Sequence, residues 1–266
     1  MIVDGKAIAK DLYREIANQI THLSQAPHLT VFTCAPNFET QKYLKLKKRK
    51  ATEVGIGISI VELPDALTTD EVVQSVQHAC MQTDGIIVQL PLPAHIDTNA
   101  VLAAIPLSYD VDGMHYDGTA VSCMSPVVGA ISEITQRHDV LFASQNVVVV
   151  GHGKLVGIPA AVWARGQGAK VTVLTTESDD ADSTKAIANA DILILGAGVP
   201  SLIKADMIKK GVVIFDAGTT EEGGELTGDA HHDCRHKASL ITPVPGGIGP
   251  VTVAVLLRNV VTASAQ

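Results

Sequence analysis

Apolar residues in the first part of the chain alternate between helical and strand-like spacing. Ile8, Leu12 and Ile16 recur every four residues, which predicts an amphipathic helix over residues 7–23. A short apolar run predicts a strand at residues 28–33. The same alternation predicts further helices over residues 38–54 and 69–81, and further strands over residues 57–63 and 85–90. Strands that alternate with helices indicate βαβ units and a parallel sheet.

The alternation begins again after Asp112. A strand predicted at residues 146–150 contains four consecutive valines, which is typical of a strand buried on both faces. The other predicted elements are helices over residues 126–136, 155–167 and 251–262, and strands over residues 170–174, 192–195, 212–215 and 239–241. The polar segments 179–183 and 223–224 are interpreted as loops.

These elements predict an α/β protein with two domains. Residues 1–122, completed by a C-terminal helix at 250–266, are predicted to form an N-terminal α/β catalytic domain. Residues 123–249 are predicted to form a Rossmann-like domain with a doubly wound parallel sheet.

Composition narrows the possible functions. Hydrophobic residues make up 46% of the 266 residues and aromatic residues only 3%, so the cores must be aliphatic. A net charge of −8 argues against nucleic-acid binding. No uninterrupted apolar run approaches membrane length, and the N-terminus lacks the apolar core of a secretory signal. The four cysteines form no Cys-x-x-Cys pair, which favours reduced thiols and a cytoplasmic protein.

A glycine motif predicts a nucleotide site in the second domain. Gly151-His-Gly153-Lys-Leu-Val-Gly157 follows the valine strand and opens the next helix. Glycines let the backbone turn tightly and approach a pyrophosphate, and a helix N-terminus supplies free N–H groups. The spacing differs by one residue from G-x-G-x-x-G, so by itself the motif also fits an ordinary βα turn.

Polar residues in the first domain predict a second site. Tyr43 and Lys47 lie four residues apart on a predicted helix and therefore share a face. Gln89 ends a predicted buried strand, where open α/β sheets place ligands, and needs a hydrogen-bond partner there. Asp110-Val-Asp112-Gly follows. Taken separately, these segments also fit a solvated basic helix face, an ordinary strand end and an Asp-Gly turn.

The most specific string is Thr242-Pro-Val-Pro-Gly-Gly-Ile-Gly-Pro250. Its glycines and prolines predict a rigid loop whose backbone can lie against a flat ring. Taken together in chain order, from Tyr43 to Pro250, the motifs resemble those of the FolD family, the bifunctional methylenetetrahydrofolate dehydrogenases and methenyltetrahydrofolate cyclohydrolases. The resemblance covers nearly the whole chain.

The resemblance implies oxidation of 5,10-methylenetetrahydrofolate with NADP or NAD, then hydrolysis to 10-formyltetrahydrofolate, in a cytoplasmic homodimer that serves one-carbon metabolism and purine biosynthesis. It implies a catalytic role for Lys47, supported by Tyr43 and Gln89, while Asp112 grips the pterin. Further folate contacts are implied at Leu90, Pro91, Pro245, Gly246 and Gly247. Nicotinamide contacts are implied at Gly151, His152, Gly153, Val156, Gly157, Thr176, Ser178, Gly218 and Thr219.

A lysine can move protons near neutral pH only if its pKa is lowered, either by burial or by nearby cations. Lys45, Lys48, Arg49 and Lys50 surround Lys47 in sequence, and we expect their charges to act in that direction. Asp110 is expected to be structural and to cap a turn.

The choice between the two nicotinamides stays open. NADP is the family default, with a cation commonly placed after the first glycine, where this chain has His152. The segment after the second strand of the nucleotide domain contains Glu177, Asp179 and Asp180, and acidic groups there favour a ribose 2′-hydroxyl over a 2′-phosphate. Thr176 and Ser178 offer hydroxyl groups to a phosphate, and the acidic residues also fit a solvated loop.

Several other features leave alternatives open. Phe32–Pro36, Met124–Gly129 and Asp216–Thr220 depart from the family pattern. The segment His231–His236 looks like a metal cluster, but its spacing fits no standard zinc pattern and the family implies no metal, so an exposed segment is favoured. The alternative functions are another two-domain dehydrogenase of the shikimate type and a non-catalytic nucleotide-binding protein.

Overall fold

The computed structural model describes residues 1–36, 38–222 and 225–265, and the chain divides into two compact units. The Lys47 unit comprises Asp11–Pro126 and Val253–Gln266, and the Gly151 unit comprises Met1–Lys10 and Val127–Thr252. The first ten residues therefore group with the Gly151 unit, where the Val3 amide donates to the Ile241 carbonyl oxygen at 3.0 Å. The predicted domain boundaries place these ten residues in the N-terminal domain and remain predictions.

The Lys47 unit contains a three-stranded parallel sheet of order β2-β1-β3. Its strands are β1 (His28–Cys34), β2 (Gly57–Leu63) and β3 (Gly85–Val88), and its helices include α2 (Phe38–Val54), α3 (Thr69–Ala79) and α4 (Thr98–Ala103). Helix α1 (Gly5–Ile20) enters this unit from residue 11 onward. All four residues of β3 are buried, as the continuous apolar run predicts.

The Gly151 unit contains a five-stranded parallel sheet of order β10-β7-β6-β4-β5. Its helices are α5 (Pro126–Arg137), α6 (Gly157–Gly166) and α7 (Asp180–Asn189). Its sheet strands are β4 (Asn146–Val150), β5 (Lys170–Leu174), β6 (Ile192–Leu195), β7 (Val213–Asp216) and β10 (Leu240–Ile241). Strands β8 (Thr220–Glu222) and β9 (Glu225–Thr227) form a separate antiparallel pair. The predicted two-domain α/β class, with parallel sheets, is confirmed.

The last helix, α8 (Ile248–Ser264), contributes its second half to the Lys47 unit. Leu256, Leu257 and Val260 are fully buried there in one apolar cluster with Leu29 of β1 and Ile16 of α1. The second half of α8 thus groups with the Lys47 unit, and the predicted completion of the N-terminal domain by residues 250–266 remains a prediction. Burial of several large aliphatic side chains at about 1.5–3 kcal/mol each fixes the helix in place.

The element boundaries differ from the sequence prediction in several places. The segment 179–183 is not a loop, because Asp179 caps α7 by accepting hydrogen bonds from the Ala181 and Asp182 amides. The segment was interpreted as a loop because it is polar and acidic, although acidic residues are also common in the first turn of a helix. Helix α4 was not predicted, the strand at 85–90 ends at Val88, and α8 begins at Ile248. The predicted loop at residues 223–224 lies outside the described residues.

Candidate active site

Lys47 is buried in the Lys47 unit, with only 4% of its surface exposed. It lies one helical turn after Tyr43 on α2, and its Nζ is 4.6 Å from the centroid of the Tyr43 ring. The Nζ also donates a hydrogen bond to Oε1 of Gln89 at 3.1 Å. The predicted shared face of Tyr43 and Lys47, and the predicted partner of Gln89, are therefore both present.

Hydrogen bonds to the sheet fix the position of Gln89, and its side-chain amide fixes the orientation of Oε1 toward Lys47. It follows β3 directly, and its backbone N–H donates to the Phe32 carbonyl of β1 at 2.8 Å. Its Nε2 donates to the Leu90 carbonyl oxygen at 3.2 Å, which orients Oε1 as the acceptor for Lys47. Because β1 and β3 are neighbours in the parallel sheet, their carboxyl ends share one edge, where α/β proteins bind ligands.

The burial of this cluster shifts its proton equilibria toward neutral forms. Burial lowers the pKa of Lys47, and the nearby carboxylate of Asp112 opposes that shift. Burial raises the pKa of Asp112, with Lys47 opposing and Asp110 adding to the increase. Burial also raises the pKa of the Tyr43 hydroxyl. Lys47 thus lies in the environment that a lysine needs for proton transfer near neutral pH.

The expected contribution of the neighbouring cations to Lys47 was wrong. Desolvation is the cause of its lowered pKa. Arg49 and Lys50 instead pair with Glu53 at 3.6 Å and 2.6 Å, and the side chain of Lys45 is exposed. Spacing along a helix could not distinguish these cases, because only the fold determines which lysine of the basic run becomes buried.

The turn that carries Asp112 is fixed by the carboxylate of Asp110. Asp110 is 2% exposed and accepts hydrogen bonds from the amides of Met114 and His115 at 3.1 and 2.8 Å. Nδ1 of His115 lies 2.9 Å from the same carboxylate. Gly113 adopts φ +65°, and a Cβ there would lie 2.5 Å from the Ser125 backbone nitrogen. The predicted capping role of Asp110 is confirmed.

Asn259 of α8 was missed by the sequence analysis. Its Nδ2 donates to the carbonyl oxygens of Val111 and Met124, each at 3.0 Å. The last helix therefore holds the segment on both sides of the Asp112 turn. No local pattern reveals this role, because a single asparagine in an apolar helix gains it only from tertiary contacts that span more than 130 residues.

In the Gly151 unit, the glycine loop is shaped by close backbone contacts. Gly151 has φ +101°, and a Cβ there would lie 2.5 Å from the Gly196 carbonyl oxygen. A Cβ on Gly157 would lie 2.1 Å from the Gly151 carbonyl oxygen, whereas a Cβ on Gly153 would meet nothing within 4 Å. Two glycines thus permit tight packing and the third leaves space over the loop. This arrangement fits a pyrophosphate at the start of α6.

The helix start also fits an anionic ligand. Val156 stands at the N-cap of α6 and makes no side-chain capping hydrogen bond. Within the first turn, Pro159 has no N–H and the Ile158 amide donates to the Gly153 carbonyl oxygen at 3.1 Å, so the helix offers a ligand the Gly157 amide and the positive end of its dipole. His152, beside them in the loop, is exposed.

The segment after β5 forms a compact turn. Oγ of Ser178 accepts a hydrogen bond from the Thr175 amide at 2.9 Å, and the Glu177 amide donates to Oγ1 of Thr175 at 3.2 Å. Thr176 and Glu177 are exposed. The hydroxyl oxygens of Thr175 and Ser178 are therefore already engaged by the turn, while the Thr176 hydroxyl and the Glu177 carboxylate face solvent.

Two further predicted contact segments also lie in the Gly151 unit. Gly218 follows β7 and is buried against Asp229, since a Cβ there would lie 2.1 Å from the Asp229 carboxylate; Thr219 beside it is exposed. In the proline–glycine loop, Gly246 has φ +104° and accepts a hydrogen bond from the Gly5 amide at 3.0 Å. Gly247 is buried there and Pro245 is exposed.

The structure thus brings together one group of the predicted site residues. Tyr43, Lys47, Gln89 and Asp112 form one cluster in the Lys47 unit, and Leu90 and Pro91 follow directly after it in the chain. The predicted nicotinamide residues and Pro245, Gly246 and Gly247 all belong to the Gly151 unit.

Comparison with known proteins identifies two domains of one family in the chain. Residues 3–112 match the family model of the tetrahydrofolate dehydrogenase/cyclohydrolase catalytic domain, and residues 119–266 match that of the NAD(P)-binding domain. The chain is 36% identical to the bifunctional protein FolD of Halothermothrix orenii, over 98% of this chain and 97% of the relative.

Solved structures show the same likeness. FolD from Campylobacter jejuni is 30% identical with a TM-score of 0.95, and covers 100% of this chain and 98% of its own. FolD from Trypanosoma brucei, solved with NADP and an inhibitor, is 31% identical with a TM-score of 0.92. The match covers 100% of this chain and 97% of the Trypanosoma brucei chain. The buried lysine cluster, the glycine loop and these matches establish that the chain belongs to the tetrahydrofolate dehydrogenase/cyclohydrolase family.

Proposed function

We propose that this protein oxidises 5,10-methylenetetrahydrofolate to the 5,10-methenyl form with a nicotinamide dinucleotide, and hydrolyses the methenyl form to 10-formyltetrahydrofolate. The observation that carries the proposal is the buried Lys47, which contacts Gln89 and lies near both Tyr43 and Asp112. A buried lysine whose amine donates to a fixed amide oxygen is typical of a proton-transfer site, whereas a lysine on a solvated helix face is exposed.

Lys47 acts in the hydrolytic step. Water attacks the electrophilic methenyl carbon, the bond from that carbon to N5 breaks, and N5 receives a proton. A neutral Lys47 amine accepts a proton from the attacking water and returns it to the leaving nitrogen, and the second proton of that water is released to solvent as the formyl C=O bond forms. Gln89 orients the amine through its Oε1, and the Tyr43 ring, 4.6 Å away, limits the positions that the Nζ can take.

Asp112 binds the pterin end of the folate. The 2-amino-4-oxo pterin presents adjacent N–H donors, and a carboxylate offers two acceptor oxygens to match them. The Asp110–His115 contact and the Asn259 hydrogen bonds hold the Asp112 turn in place. We also assign folate contacts to Leu90 and Pro91, and to Pro245, Gly246 and Gly247.

Gly151, Gly153 and Gly157, with His152 and Val156, hold the dinucleotide in this proposal. The residues fit the group because Gly153 leaves open space and the start of α6 has no side-chain cap. The bound nicotinamide supplies the hydride acceptor for the dehydrogenase step. The chain supplies binding and orientation, to which we also assign Thr176, Ser178, Gly218 and Thr219.

The experiment that tests the function measures both steps on purified protein. Methenyltetrahydrofolate formation is followed with NADP and NAD in parallel, and hydrolysis is followed separately from added methenyltetrahydrofolate. Lys47→Met is expected to lower hydrolysis by about 10²- to 10⁴-fold, the usual contribution of a general acid–base group. Lys45→Met, an exposed lysine of the same helix, is the matched control and should keep wild-type rates.

The hydrolysis assay and the dehydrogenase assay give independent results. Full hydrolysis in Lys47→Met would overturn the role of Lys47, while leaving the dehydrogenase assignment to its own assay. Turnover of neither substrate by the wild-type protein, with nucleotide binding retained, would favour the non-catalytic alternative. Turnover with NADP would make His152, Thr176 and Ser178 the candidates for the 2′-phosphate site, and turnover with NAD alone would point to the acidic segment around Glu177.

The cellular setting is proposed on the family resemblance. We propose a cytoplasmic homodimer that supplies one-carbon units, including those used in purine biosynthesis. Across residues 1–36, 38–222 and 225–265, no helix has both the length and the apolar character required to cross a membrane. Light scattering coupled to size exclusion checks the dimer, which a monomeric mass at micromolar concentration would contradict.

A further inference from the structure

A histidine cluster in the Gly151 unit is not used by the proposed reaction. His231, His232 and Asp233 each offer one ligand atom, and these three atoms lie within 4.8 Å of one another. Nδ1 of His231 accepts a hydrogen bond from the Asp233 amide at 3.4 Å, which an ion at this nitrogen would replace, and lies 3.3 Å from one carboxylate oxygen of Asp233. Nε2 of His232 lies 3.0 Å from the other oxygen. The spacing of these residues matches no standard zinc pattern and by itself favours an exposed segment; only the structure shows that the donors converge.

The separations suit a small divalent ion. Zinc binds imidazole nitrogen and carboxylate oxygen at about 2.0–2.2 Å, which puts tetrahedral donors about 3.3–3.5 Å apart. The two nitrogen–oxygen separations are already at or just under this range. The two histidine rings are already in contact, with centroids 4.1 Å apart, so rotation of the rings must bring the ligand nitrogens closer together, and the His232 side chain is 70% exposed, which leaves room for that rotation.

The backbone beneath the cluster is anchored, unlike that of a typical surface loop. The His231 amide donates to the Ile203 carbonyl at 2.8 Å, and the Cys234 amide donates to the His231 carbonyl at 3.0 Å. Cys234 is completely buried, and its Sγ lies 3.3 Å from the Ile203 carbonyl oxygen. A ligand set on a fixed backbone loses less conformational freedom when it binds an ion.

A cavity adjoins the cluster. It has a volume of about 140 Å³, and its lining includes His231, His232 and Arg235. This space is large enough for the water molecules that fill the remaining positions of an ion with three protein ligands. Arg235 adds a positive charge that weakens cation binding, and the Asp233 carboxylate opposes it.

We propose that His231, His232 and Asp233 form a binding site for a divalent transition metal ion of the zinc class, separate from the folate and nicotinamide chemistry. Two imidazoles and one carboxylate are ligands that suit zinc, cobalt or nickel better than magnesium or calcium. The three ligands come from one partly exposed segment, so binding is reversible and depends on the free ion concentration.

The test is a calorimetric titration of the intact protein with zinc, and with cobalt followed by absorption. His232→Ala is expected to weaken the affinity at least tenfold. His236→Ala is the matched control, because His236 is an exposed histidine of the same segment outside the cluster. Zinc should also raise the melting temperature of the wild-type and His236→Ala proteins, and raise it less for His232→Ala.

Three results would overturn the proposal. They are equal zinc affinity in His232→Ala and wild type, an equal loss in His236→Ala, and a thiolate-to-cobalt charge-transfer band, which would place the ion on a cysteine. Asp233→Asn separates the carboxylate from the histidines: it should weaken zinc binding while leaving the two imidazoles in place, and unchanged affinity would remove Asp233 from the site.

Discussion

The Lys47 cluster and the glycine loop prepare their sites by opposite physical means. Lys47 is buried and the neighbouring Asp112 is half-buried, so desolvation changes which of their protonation states is favoured. Around Gly151, side chains are absent where the backbone packs tightly, and the loop presents amide groups and space. The first region is suited to proton transfer, and the second to holding a group that brings its own chemistry.

This difference determines how each region tolerates change. The glycine loop has no spare volume at Gly157, so an added methyl group must displace backbone. The Lys47 cluster already bears the cost of burying charge, so removing that charge can stabilise the fold while it abolishes function. Four predictions test this contrast.

The largest expected effect is in the glycine loop. Gly157→Ala should lower the free energy of unfolding by about 3 kcal/mol, because its Cβ would lie 2.1 Å from the Gly151 carbonyl oxygen and the loop must shift. Gly153→Ala, whose Cβ meets nothing within 4 Å, should change it by less than about 0.5 kcal/mol. Urea denaturation measures both variants, and equal stabilities would contradict the packing argument.

The same pair also tests the space over the loop. If that space receives the dinucleotide, Gly153→Ala weakens NAD(P) binding although its fold is intact. Nucleotide affinity equal to wild type in Gly153→Ala would remove this glycine from the binding surface.

The next effect concerns the turn that holds Asp112. Asp110→Asn should lower the free energy of unfolding by about 2 kcal/mol, because one amide oxygen cannot replace the carboxylate that accepts from two backbone amides and faces the His115 ring. The KM for folate should rise more than kcat falls, since Asp110 positions the turn and does not touch the reacting carbon. Asp139→Asn, which changes an exposed aspartate outside this turn, is the control. A pure kcat effect would argue for a different role.

A smaller effect is a change in pH dependence. The folded-state pKa of Lys47 is lowered, so the unfolded chain binds more protons from that lowered pKa up to the ordinary 10.5. The contribution of Lys47 to the free energy of unfolding therefore rises as the pH rises through that window. Lys47→Met should remove the rise and be more stable than wild type at the acidic end, whereas Lys45→Met should keep it. Parallel unfolding curves in Lys47→Met and wild type at every pH would contradict the burial of a charged lysine.

The smallest effect is expected at the exposed turn after β5. Glu177→Gln should lower the KM for NADP a few-fold and leave that for NAD almost unchanged, because an exposed charge contributes about 0.2–1 kcal/mol. Asp206→Asn removes an exposed acid from a different connection and serves as the control. An equal change for both nucleotides would show that Glu177 does not face the 2′ position.

The periodicity of apolar residues predicted most of the long helices and strands. It failed for a helix with an acidic first turn and for a very short helix. The five strands of the larger sheet follow from apolar runs in the chain. Helix α7 was missed because its acidic first turn resembles a solvated loop, and α4 because six residues are too few to show a helical period. In the candidate site, motif order identified Tyr43, Lys47, Gln89 and Asp112, but no local signal pointed to Asn259.

Residue patterns along the chain predict the α/β class, the glycine loop after β4 and the residues that gather around Lys47, because these depend on local spacing and on strand ends that share an edge. Only the folded structure shows which lysine of the basic helix is buried, that Asn259 holds the segment on both sides of the Asp112 turn, and that the donors of residues 231–233 converge. Burial and convergence arise from segments far apart in the chain, and proton equilibria respond to that packing and not to sequence neighbours.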